Sequence, residues 1–535
     1  MRILLSAVLL LAVSVSALPA GGEDGVHPVS PVLHVHSTWS TGRHSLAELA
    51  TFAKARGVRA VFLTENFRLR FEYGVPPLQQ VLGYGMDLRS LFTEGPEAFL
   101  GAVAVANRAD TQVLFVPGAE VTPHYYWTGS PLNGTLANHD AEQNLHVLGL
   151  TRAEDYWRLP MATNPWAAPM SAWSLVLLAP ALLVLPGLWM LRHPARRTVH
   201  LRFFAIREKR RRRWPAIACF AAAGLLLWNN YPFRQTVASV YDPTAGVAPH
   251  QQLIDYANTT GAIAVWKLPE ATDYHEIKVA GRLPVTVETR PYPEALLATD
   301  RYDAFGGLYE QETSFQRPGK EWDRLLLDYM AGRRERPAWA IAESAYHFQG
   351  RAGKRLGDLQ TVIRVPGEPT RENLLAGLRA GRMYALWRTP ETGLTLDTWQ
   401  ITAGGRSAES GETIASHPGT PVDVVARVGT DGPPMAITVT LIRSGVVVSA
   451  ASGRTPLNFR WTEPADTHAT RAYYRLLSWW TVPGPTSSWQ IPSSSARGPA
   501  SLPVCSTDTE KILLDTPFLE PRAEGVPFLP ADSYD

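Results

Sequence analysis

The sequence predicts an α/β protein: a barrel of seven βα units that is interrupted by a two-helix transmembrane hairpin and followed by a small all-β sandwich. Three observations lead to this prediction. In residues 27–169 and 234–390, short apolar runs alternate with amphipathic stretches, which is typical of βα units and a parallel sheet. Two long apolar segments enclose a basic stretch within residues 170–233. Residues 395–485 contain strand-like runs separated by Gly, Pro and Ser, without helical periodicity.

The first βα unit has the clearest signals. PVLHVHS at residues 31–37 predicts a short strand, and RAVFLTEN at residues 59–66 predicts the next one. Between them, Ser45 and Glu48 have the spacing of a helix capping box, and Gly57 supplies the helix stop. The buried face of this helix is predicted from its apolar spacing as Leu46, Leu49, Ala50 and Ala53.

Five further strands complete the predicted barrel. They are expected at residues 111–120, 144–150, 261–270, 302–310 and 337–347. Helices are expected before the fifth strand, at residues 250–261, and after the seventh, at residues 370–384. Seven strands in βα order favour a closed barrel over an open sheet.

Three apolar segments predict export and membrane attachment. Ile3–Val15 follows Arg2 and leads to small residues, as in a secretory signal peptide over residues 1–20; an uncleaved anchor is the alternative. Met170–Leu191 has about 22 residues without a charge, enough to cross a bilayer. Trp214–Phe233 is shorter and ends in aromatic residues typical of a membrane interface.

The basic stretch between the last two segments predicts the orientation. It ends in Arg210–Arg213 and would suit nucleic acid in a soluble protein. Between two membrane spans it is instead typical of a cytoplasmic loop. We therefore expect a multi-pass protein of the cell membrane whose large domains are extracytoplasmic (periplasmic or extracellular), with no nucleic-acid partner.

The overall composition adds little to this picture. The chain has 535 residues, and 51 Lys and Arg nearly balance 49 Asp and Glu, so net charge indicates no partner. Cys219 lies in an apolar segment, so a structural disulfide with Cys505 is not expected, and two cysteines make no zinc cluster. A tail rich in Pro and Ser follows the sandwich over residues 486–535.

Histidine and carboxylate residues fall at the ends of five predicted strands. Because the carboxyl ends of barrel strands converge on one face, these side chains are expected to meet there. Neutral imidazole nitrogen and anionic oxygen suit a divalent metal, which can activate water for hydrolysis. The candidate metal-binding residues are His34, His36, Glu65, Asn66, Glu120, His146 and His347.

Structural alternatives apply to several of these residues. His34 and His36 are two apart, and the strand period points both side chains the same way. His146 lies in an apolar strand, where it can be a hydrogen-bonded core histidine, and Glu120 can be a buried acid. We expect three other histidines at the surface, namely His44, His124 and His139.

At these strand ends the chain resembles the polymerase and histidinol phosphatase (PHP) family of metal-dependent phosphoesterases. HVHS matches its H-x-H-S element, TEN stands where T-D-H is usual, and PGAEVT matches its G-x-E element. HVLGL matches the histidine-leucine strand, GAIAVWKLPE stands where a strand ends in A-H-P, and AESAYHF where S-D-x-H is usual. The resemblance covers residues 30–385 without the hairpin. It implies a distorted, seven-stranded TIM-like barrel that holds up to three metal ions and hydrolyses phosphate esters.

The resemblance also implies roles for individual residues. Catalytic residues are expected among the matching ligands at His34, His36 and Glu120, with further metal ligands at His146 and His347. Glu65 replaces an aspartate, with a longer reach, and Asn66 replaces a histidine and can coordinate through its amide oxygen.

Two positions lack the ligand that the family has. Leu268 replaces a histidine and Ala345 replaces an aspartate, and neither side chain can bind metal. Asp273 and His275 follow closely and are candidate substitutes, although their spacing does not require this. One or two divalent ions (Mn, Zn or Fe) are therefore expected rather than three.

Three functions follow from these observations. The first is a membrane-anchored, extracytoplasmic metal-dependent phosphoesterase. Because the hairpin lies between the fourth and fifth strands, it is expected on the ligand face, so the substrate would be a phosphorylated small molecule or a lipid-linked phosphate. The second is a catalytically degenerate PHP-like domain that binds a ligand or partner. The third is a structural envelope protein in which the sandwich does the binding.

Overall fold

The protein is a mixed α/β molecule with many sheets. The computed structural model describes residues 26–201, 203–210, 212–279, 283–310, 313–350, 355–388, 392–415, 420–463 and 471–480. The predicted signal peptide and the predicted Pro/Ser-rich tail lie outside the described residues.

The strands are described first, in chain order. They are β1 (Val26–Val29), β2 (Val32–Val35), β3 (Ala60–Leu63), β4 (Glu65–Asn66), β5 (Leu69–Gly74), β6 (Gly83–Leu88), β7 (Leu114–Val116), β8 (Gly118–Val121), β9 (Tyr126–Thr128), β10 (Leu136–His139), β11 (Leu145–Leu148), β12 (Ala195–Leu201), β13 (Phe204–Arg210), β14 (Ile263–Trp266), β15 (Asp273–Val279), β16 (Leu283–Thr289), β17 (Ala304–Leu308), β18 (Trp339–Ala342), β19 (Leu359–Pro366), β20 (Met383–Trp387), β21 (Leu394–Ala403), β22 (Arg406–Ala408), β23 (Val422–Thr430), β24 (Ala436–Arg443), β25 (Val446–Arg454), β26 (Leu457–Thr462) and β27 (Tyr474–Trp480).

The helices follow in the same way. They are α1 (Leu46–Ala55), α2 (Leu91–Glu94), α3 (Pro96–Ala109), α4 (Ala153–Trp157), α5 (Ala172–Leu178), α6 (Val184–Arg192), α7 (Arg213–Asn230), α8 (Ala248–Thr260), α9 (Pro293–Ala298), α10 (Glu321–Met330) and α11 (Arg371–Ala380). Helix α1 begins with the predicted capping box, in which Ser45 and Glu48 each bond the other's backbone N–H, and it buries the predicted face.

The seven predicted strands pair in a closed ring. Strands β2, β3 and β7 pair side by side; β3 continues as β4, and β7 continues as β8. From β4 the pairing runs through β8, β11, β14 and β17 to β18. A parallel bridge between Val35 and Tyr346 then returns to β2, supported by a hydrogen bond from Ser344 N to Leu33 O.

One strand of the ring runs in the direction opposite to the prediction. Strand β11 is antiparallel to both of its neighbours, β8 and β14, whereas a ring of seven βα units would be parallel throughout. The reason is the connection from β8 to β11, which consists of β9 and β10 without a crossover helix. A parallel connection needs such a crossover.

This reversal changes how the inserted segment leaves the ring. The chain emerges from β11 at the end remote from Glu120, so the expectation that it follows a strand end on the ligand face is wrong. Helix α4 and the residues after it bring the chain back. Ala162 N then donates to Pro123 O, just beyond β8, and Arg68 bonds Thr163 O. The segment therefore starts beside the ligand face by a longer route.

The inserted segment is an antiparallel pair of helices joined by a β-hairpin. Helices α5 and α6 are linked by a short 3-10 turn, and Phe220 of α7 packs against Gly187 of α6. The predicted basic loop forms the two strands β12 and β13. At the base, Asn229 Nδ2 donates to Pro77 O, which connects the helices to the β5–β6 hairpin.

Only part of the predicted transmembrane hairpin is supported. Among the described residues, Ala172–Arg192 is the single helical segment that is long and apolar enough to cross a membrane, by length and composition. Helix α7 is not apolar enough to meet this criterion, because it begins at Arg213 and ends in the polar residues Asn229 and Asn230. A two-helix transmembrane hairpin is thus not shown.

The opposite end of the ring from the ligand face is closed by apolar packing. Leu33, Phe62 and Val116 pack there against Ile363 and Val365 of β19. Strand β19 belongs to the antiparallel sheet β1–β19–β20, which lies against this end together with α11. The ring is therefore apolar at this end, and its polar residues gather at the other.

The C-terminal part consists of two antiparallel sheets, as the predicted sandwich requires. Their strand orders are β22–β21–β23–β26 and β25–β24–β27. One apolar cluster includes Val424 and Leu441 from these two sheets. It also includes Leu308 of β17, in the ring, and Leu359 of β19. A buried ion pair between Arg475 of β27 and Asp323 of α10 adds a second link between the two parts.

Candidate metal centre

The first two histidines reach the site through a distortion of β2. His34 has a left-handed backbone, with φ 64°, and the pairing of β2 with β3 shifts register between Val32 and Val35. Leu33 packs inside the ring, whereas Val32 and Val35 belong to the outer core. The extra residue lets His34 turn inward as well as His36. His34 and His36 therefore share the predicted direction, and the bulge before Val35 is what makes that direction inward.

Glu120 is the centre of the cluster. Its Oε2 lies 3.1 Å from His36 Nε2, 3.3 Å from His34 Nε2 and 3.8 Å from His146 Nε2. All four side chains are at most 3% exposed. The structure thus brings together four predicted residues, from β2, the position directly after it, β8 and β11.

Glu343 is a fifth member that the sequence reasoning missed. Its Oε1 lies 2.9 Å from His146 Nδ1, and its Oε2 accepts a hydrogen bond of 3.0 Å from Leu268 N. Glu343 directly follows β18, so the strand-end rule applied to it. The PHP-family pattern places the acidic ligand two residues later, at Ala345, and therefore did not identify Glu343.

The donor atoms match a divalent cation. Two sets of three can each hold one ion: His34, His36 and Glu120, or His34, His146 and Glu343. Both ring nitrogens of His34, and the Nε2 atoms of His36 and His146, are buried without a hydrogen-bond partner. Buried polar atoms are rarely left unpaired, so such convergence points to a missing partner. Because both sets use His34, one ion is the simplest occupancy.

The charge states of His34, His36 and Glu120 favour metal binding. Burial lowers the pKa of His34 and of His36, which keeps both rings neutral. Burial also opposes charge on His146, but the carboxylates of Glu343 and Glu120 together outweigh it and raise that pKa. Although burial opposes its ionisation, Glu120 has a pKa well below its usual range because Lys267 and three histidines face it. Neutral imidazole and ionised carboxylate are the ligand forms, which His34, His36 and Glu120 satisfy, whereas His146 has to release a proton to bind an ion.

His347 and Asn66 lie beside this cluster. The ring of His347 stacks on that of His36 with centroids 4.3 Å apart. Thr41 Oγ1 donates to Asn66 Oδ1 at 3.0 Å and lies 3.0 Å from His347 Nδ1. Neither residue belongs to the two sets of three, so both lie beside the ligand cluster and not in it. His124, which was expected at the surface, is instead buried and bonds Ser239 O.

Leu268 and Ala345 have an unusual backbone. Both have positive φ, 32° and 42°, although neither is glycine. Such strain clusters at functional sites. The candidate substitutes Asp273 and His275 pair with each other at 3.2 Å and belong to neither ligand set.

A Gly306→Ala variant is expected to weaken metal binding about 10- to 100-fold, because a Cβ there would overlap Glu343 Oε2 and lie 2.9 Å from Leu268 N. Glu343 would have to move away from His146. Titration with Mn²⁺ followed by calorimetry measures the change. Gly101→Ala is the matched control, since nothing lies within 4 Å of its Cβ. Equal affinities in the two variants would contradict the role given to Glu343.

Glu65 turns away from the other candidates. Its carboxylate accepts hydrogen bonds from Ser37 N at 2.9 Å, Ser37 Oγ at 2.5 Å and Ser40 Oγ at 2.5 Å. It is fully buried, and burial raises its pKa to about 7 in spite of these donors. Glu65 therefore holds the turn after His36 and is not part of either ligand set.

The raised pKa predicts a pH dependence of stability. A carboxyl with a folded pKa of about 7, against 4.5 ordinarily, stabilises the fold fully below pH 4.5 and loses that contribution as the pH rises to 7. The loss is about 3 kcal/mol. Urea unfolding at several pH values should show this decline in the wild type, and Glu65→Gln should remove it. Parallel profiles for the two proteins would refute the assignment.

Comparisons with known proteins give distant structural matches. No family model and no curated protein matches the chain. A two-domain protein from Bacteroides vulgatus, containing a predicted PHP-like metal-dependent phosphoesterase, is 10% identical, with a TM-score of 0.34 over 82% of this chain and 86% of that one. A protein from Bifidobacterium adolescentis, to which metal-dependent phosphoesterase activity is attributed, is 13% identical, with a TM-score of 0.26 over 65% and 95%. These values do not assign the chain to a family.

Proposed function

We propose that this protein is a membrane-anchored, extracytoplasmic metal-dependent phosphoesterase with a reduced metal site. The observation that carries the proposal is the convergence of unpaired imidazole nitrogens from His34, His36 and His146 on the ionised carboxylate of Glu120. A divalent cation held there would supply Lewis acidity for phosphate-ester hydrolysis at neutral pH.

The residues would divide the work as follows. His34, His36 and Glu120 would hold the ion. Glu343 Oε1 lies 2.9 Å from His146 Nδ1, so its carboxylate would favour the proton on Nδ1 and leave the lone pair of Nε2 for the ion. His347 has a pKa well below its ordinary value, because of burial and the neighbouring His36, and is therefore a neutral hydrogen-bonding group beside the ligand cluster.

Membrane attachment is supported by exposed apolar surface. In the segment Ala172–Arg192, Leu175, Leu182 and Leu185 are each more than 60% exposed. Strand β6 is exposed along its whole length and carries Tyr84 and Met86. Asn229 connects this β-hairpin to the helix pair, and the hairpin follows β4 directly, at the strand end where the ligand face lies. This arrangement favours a lipid-linked phosphate over a small soluble phosphate ester.

Metal analysis and a phosphoester assay of the detergent-purified protein test the function. We expect a stoichiometric divalent ion and hydrolysis of p-nitrophenyl phosphate or its phosphodiester analogue, lost on chelation and restored by Mn²⁺, Zn²⁺ or Fe²⁺. A protein that contains no metal and hydrolyses neither substrate would refute the proposal. It would instead support the degenerate, ligand-binding alternative, which the absence of a side-chain ligand at Leu268 and Ala345 favours.

Cysteine labelling in nanodiscs tests the orientation. In a Cys219→Ser, Cys505→Ser background, Leu82→Cys probes the β5–β6 hairpin, and Leu132→Cys is the control because Leu132 is 93% exposed. A membrane-impermeant maleimide should label position 132 in nanodiscs and in detergent, but position 82 in detergent alone. Equal labelling of position 82 in both would argue against a site that faces the bilayer.

A further inference from the structure

A lysine lies inside the candidate metal centre. Lys267 directly follows β14, and its side chain is 12% exposed. Its Nζ lies 2.6 Å from Glu120 Oε1 and 2.5 Å from Glu142 Oε2. Its backbone is held on both sides, since its N donates to Asn144 O and its O accepts from the Tyr292 hydroxyl. The ammonium is thus fixed in position.

Lys267 pairs with one of the two oxygens of Glu120 and leaves the other to the histidines. Oε2 faces the histidines, whereas Oε1 accepts from Lys267 and also from Asn144 Nδ2 at 2.5 Å. A carboxylate that bridges two metal ions uses one oxygen for each. With Oε1 taken by the ammonium, Glu120 can serve one ion only.

The positions of the neighbouring carboxylates lead to the same conclusion. The ammonium of Lys267 pairs with Glu120 Oε1 and with Glu142 Oε2, and Glu343 Oε1 lies 2.9 Å from His146 Nδ1. A second divalent ion beside Glu120 would need anionic oxygens of its own. The two carboxylate oxygens nearest that position are already paired with Lys267.

We infer that the ammonium of Lys267 takes the place of a second metal ion in this centre. The inference deepens the proposed phosphoesterase function and rests on it for the first ion. Two of the three ammonium N–H groups serve Glu120 and Glu142, and the third is left for an anionic oxygen of the substrate phosphate. Lys267 would thus provide fixed positive charge where related chemistry commonly uses a second cation.

The test compares metal content with and without the ammonium. Lys267→Met keeps the chain length and removes the charge, so Glu120 Oε1 and Glu142 Oε2 become available to a cation. Plasma mass spectrometry after equilibration with Mn²⁺ should find one more ion per chain in Lys267→Met than in the wild type. The metal-free variant should also melt several degrees lower than the metal-free wild type and recover on addition of Mn²⁺, because Glu120 is otherwise left uncompensated.

Lys54→Met is the matched control, since Lys54 pairs with Asp110 at 2.6 Å in an exposed position away from the cluster. Its metal content should equal that of the wild type. Equal counts in Lys267→Met and the wild type would overturn the inference, and so would two or more ions in the wild type itself. The latter measurement decides the question even where Lys267→Met does not fold.

The outcome is separable from that of the proposed function. A wild type without metal or activity, combined with one ion in Lys267→Met, would refute the phosphoesterase function and support the substitution by lysine. Hydrolysis by a wild type that holds two ions would support the phosphoesterase function and refute the substitution of a metal ion by Lys267.

Discussion

His34→Ala is expected to abolish metal binding and hydrolysis together. His34 belongs to both sets of potential ligands, and its two nitrogens lie 3.3 Å from Glu120 and 3.9 Å from Glu343. No other side chain in the described part of the centre is common to both sets. We expect metal affinity to fall by more than about 100-fold, since even second-shell changes cost 10- to 100-fold. Calorimetric titration with Mn²⁺ and the phosphoester assay measure the two losses.

His139→Ala is the control for this prediction. His139 also faces a glutamate, Glu288, at 3.7 Å and bonds Thr128, but it belongs to neither ligand set. Its replacement should leave both metal content and turnover unchanged. Retained metal binding in His34→Ala would mean that the ion is held elsewhere and that the proposed centre is wrong.

Asp323→Ala is expected to destabilise the whole protein by about 3–5 kcal/mol. Asp323 accepts from Arg475 Nε at 2.7 Å and from Tyr473 Oη at 2.7 Å, and its second oxygen faces Arg475 at 2.6 Å. Both partners of the pair are at most 3% exposed. Removing the carboxylate leaves a guanidinium buried without its charge partner. Denaturant unfolding of the detergent-purified protein measures the loss.

Two further variants test the physical reason. Asp328→Ala removes a comparable pair with Arg333, but this pair is exposed, so the change should stay within about 1 kcal/mol. The double variant Asp323→Leu, Arg475→Met should recover much of the stability, because it removes both buried charges. If Asp323→Ala behaves like Asp328→Ala, the buried ion pair contributes little to the stability of the protein.

Local features of the fold were predictable from the sequence. Apolar runs place the seven ring strands, and the Ser45–Glu48 spacing identifies the start of α1. These signals depend on residues within one strand or one turn of a helix. The direction of β11 does not depend on such local residues, because it is decided by which strands lie next to it in space. Periodicity within NLHVLGL contains no information about those neighbours.

The candidate site was predictable to a similar degree. The strand-end rule located His34, His36, Glu120 and His146, which the structure brings together around one carboxylate oxygen. Glu343 and Lys267 also follow strands directly, and the same rule would have found them. The separate role of Glu65 was beyond the sequence, because it depends on hydroxyl groups of a turn 25 and 28 residues away.

The antiparallel helix pair has a consequence for folding. Strands β11 and β14 are neighbours in the ring but stand about 115 residues apart in the chain, so ring closure must bring the ends of a long loop together. Docking of the two helices, with Asn230 bonded to Leu177 O at 2.8 Å, removes about half of that length beforehand. Halving a loop changes its closure entropy by only about 0.6 kcal/mol. Chain entropy therefore sets little obstacle to an insertion of this size between neighbouring strands.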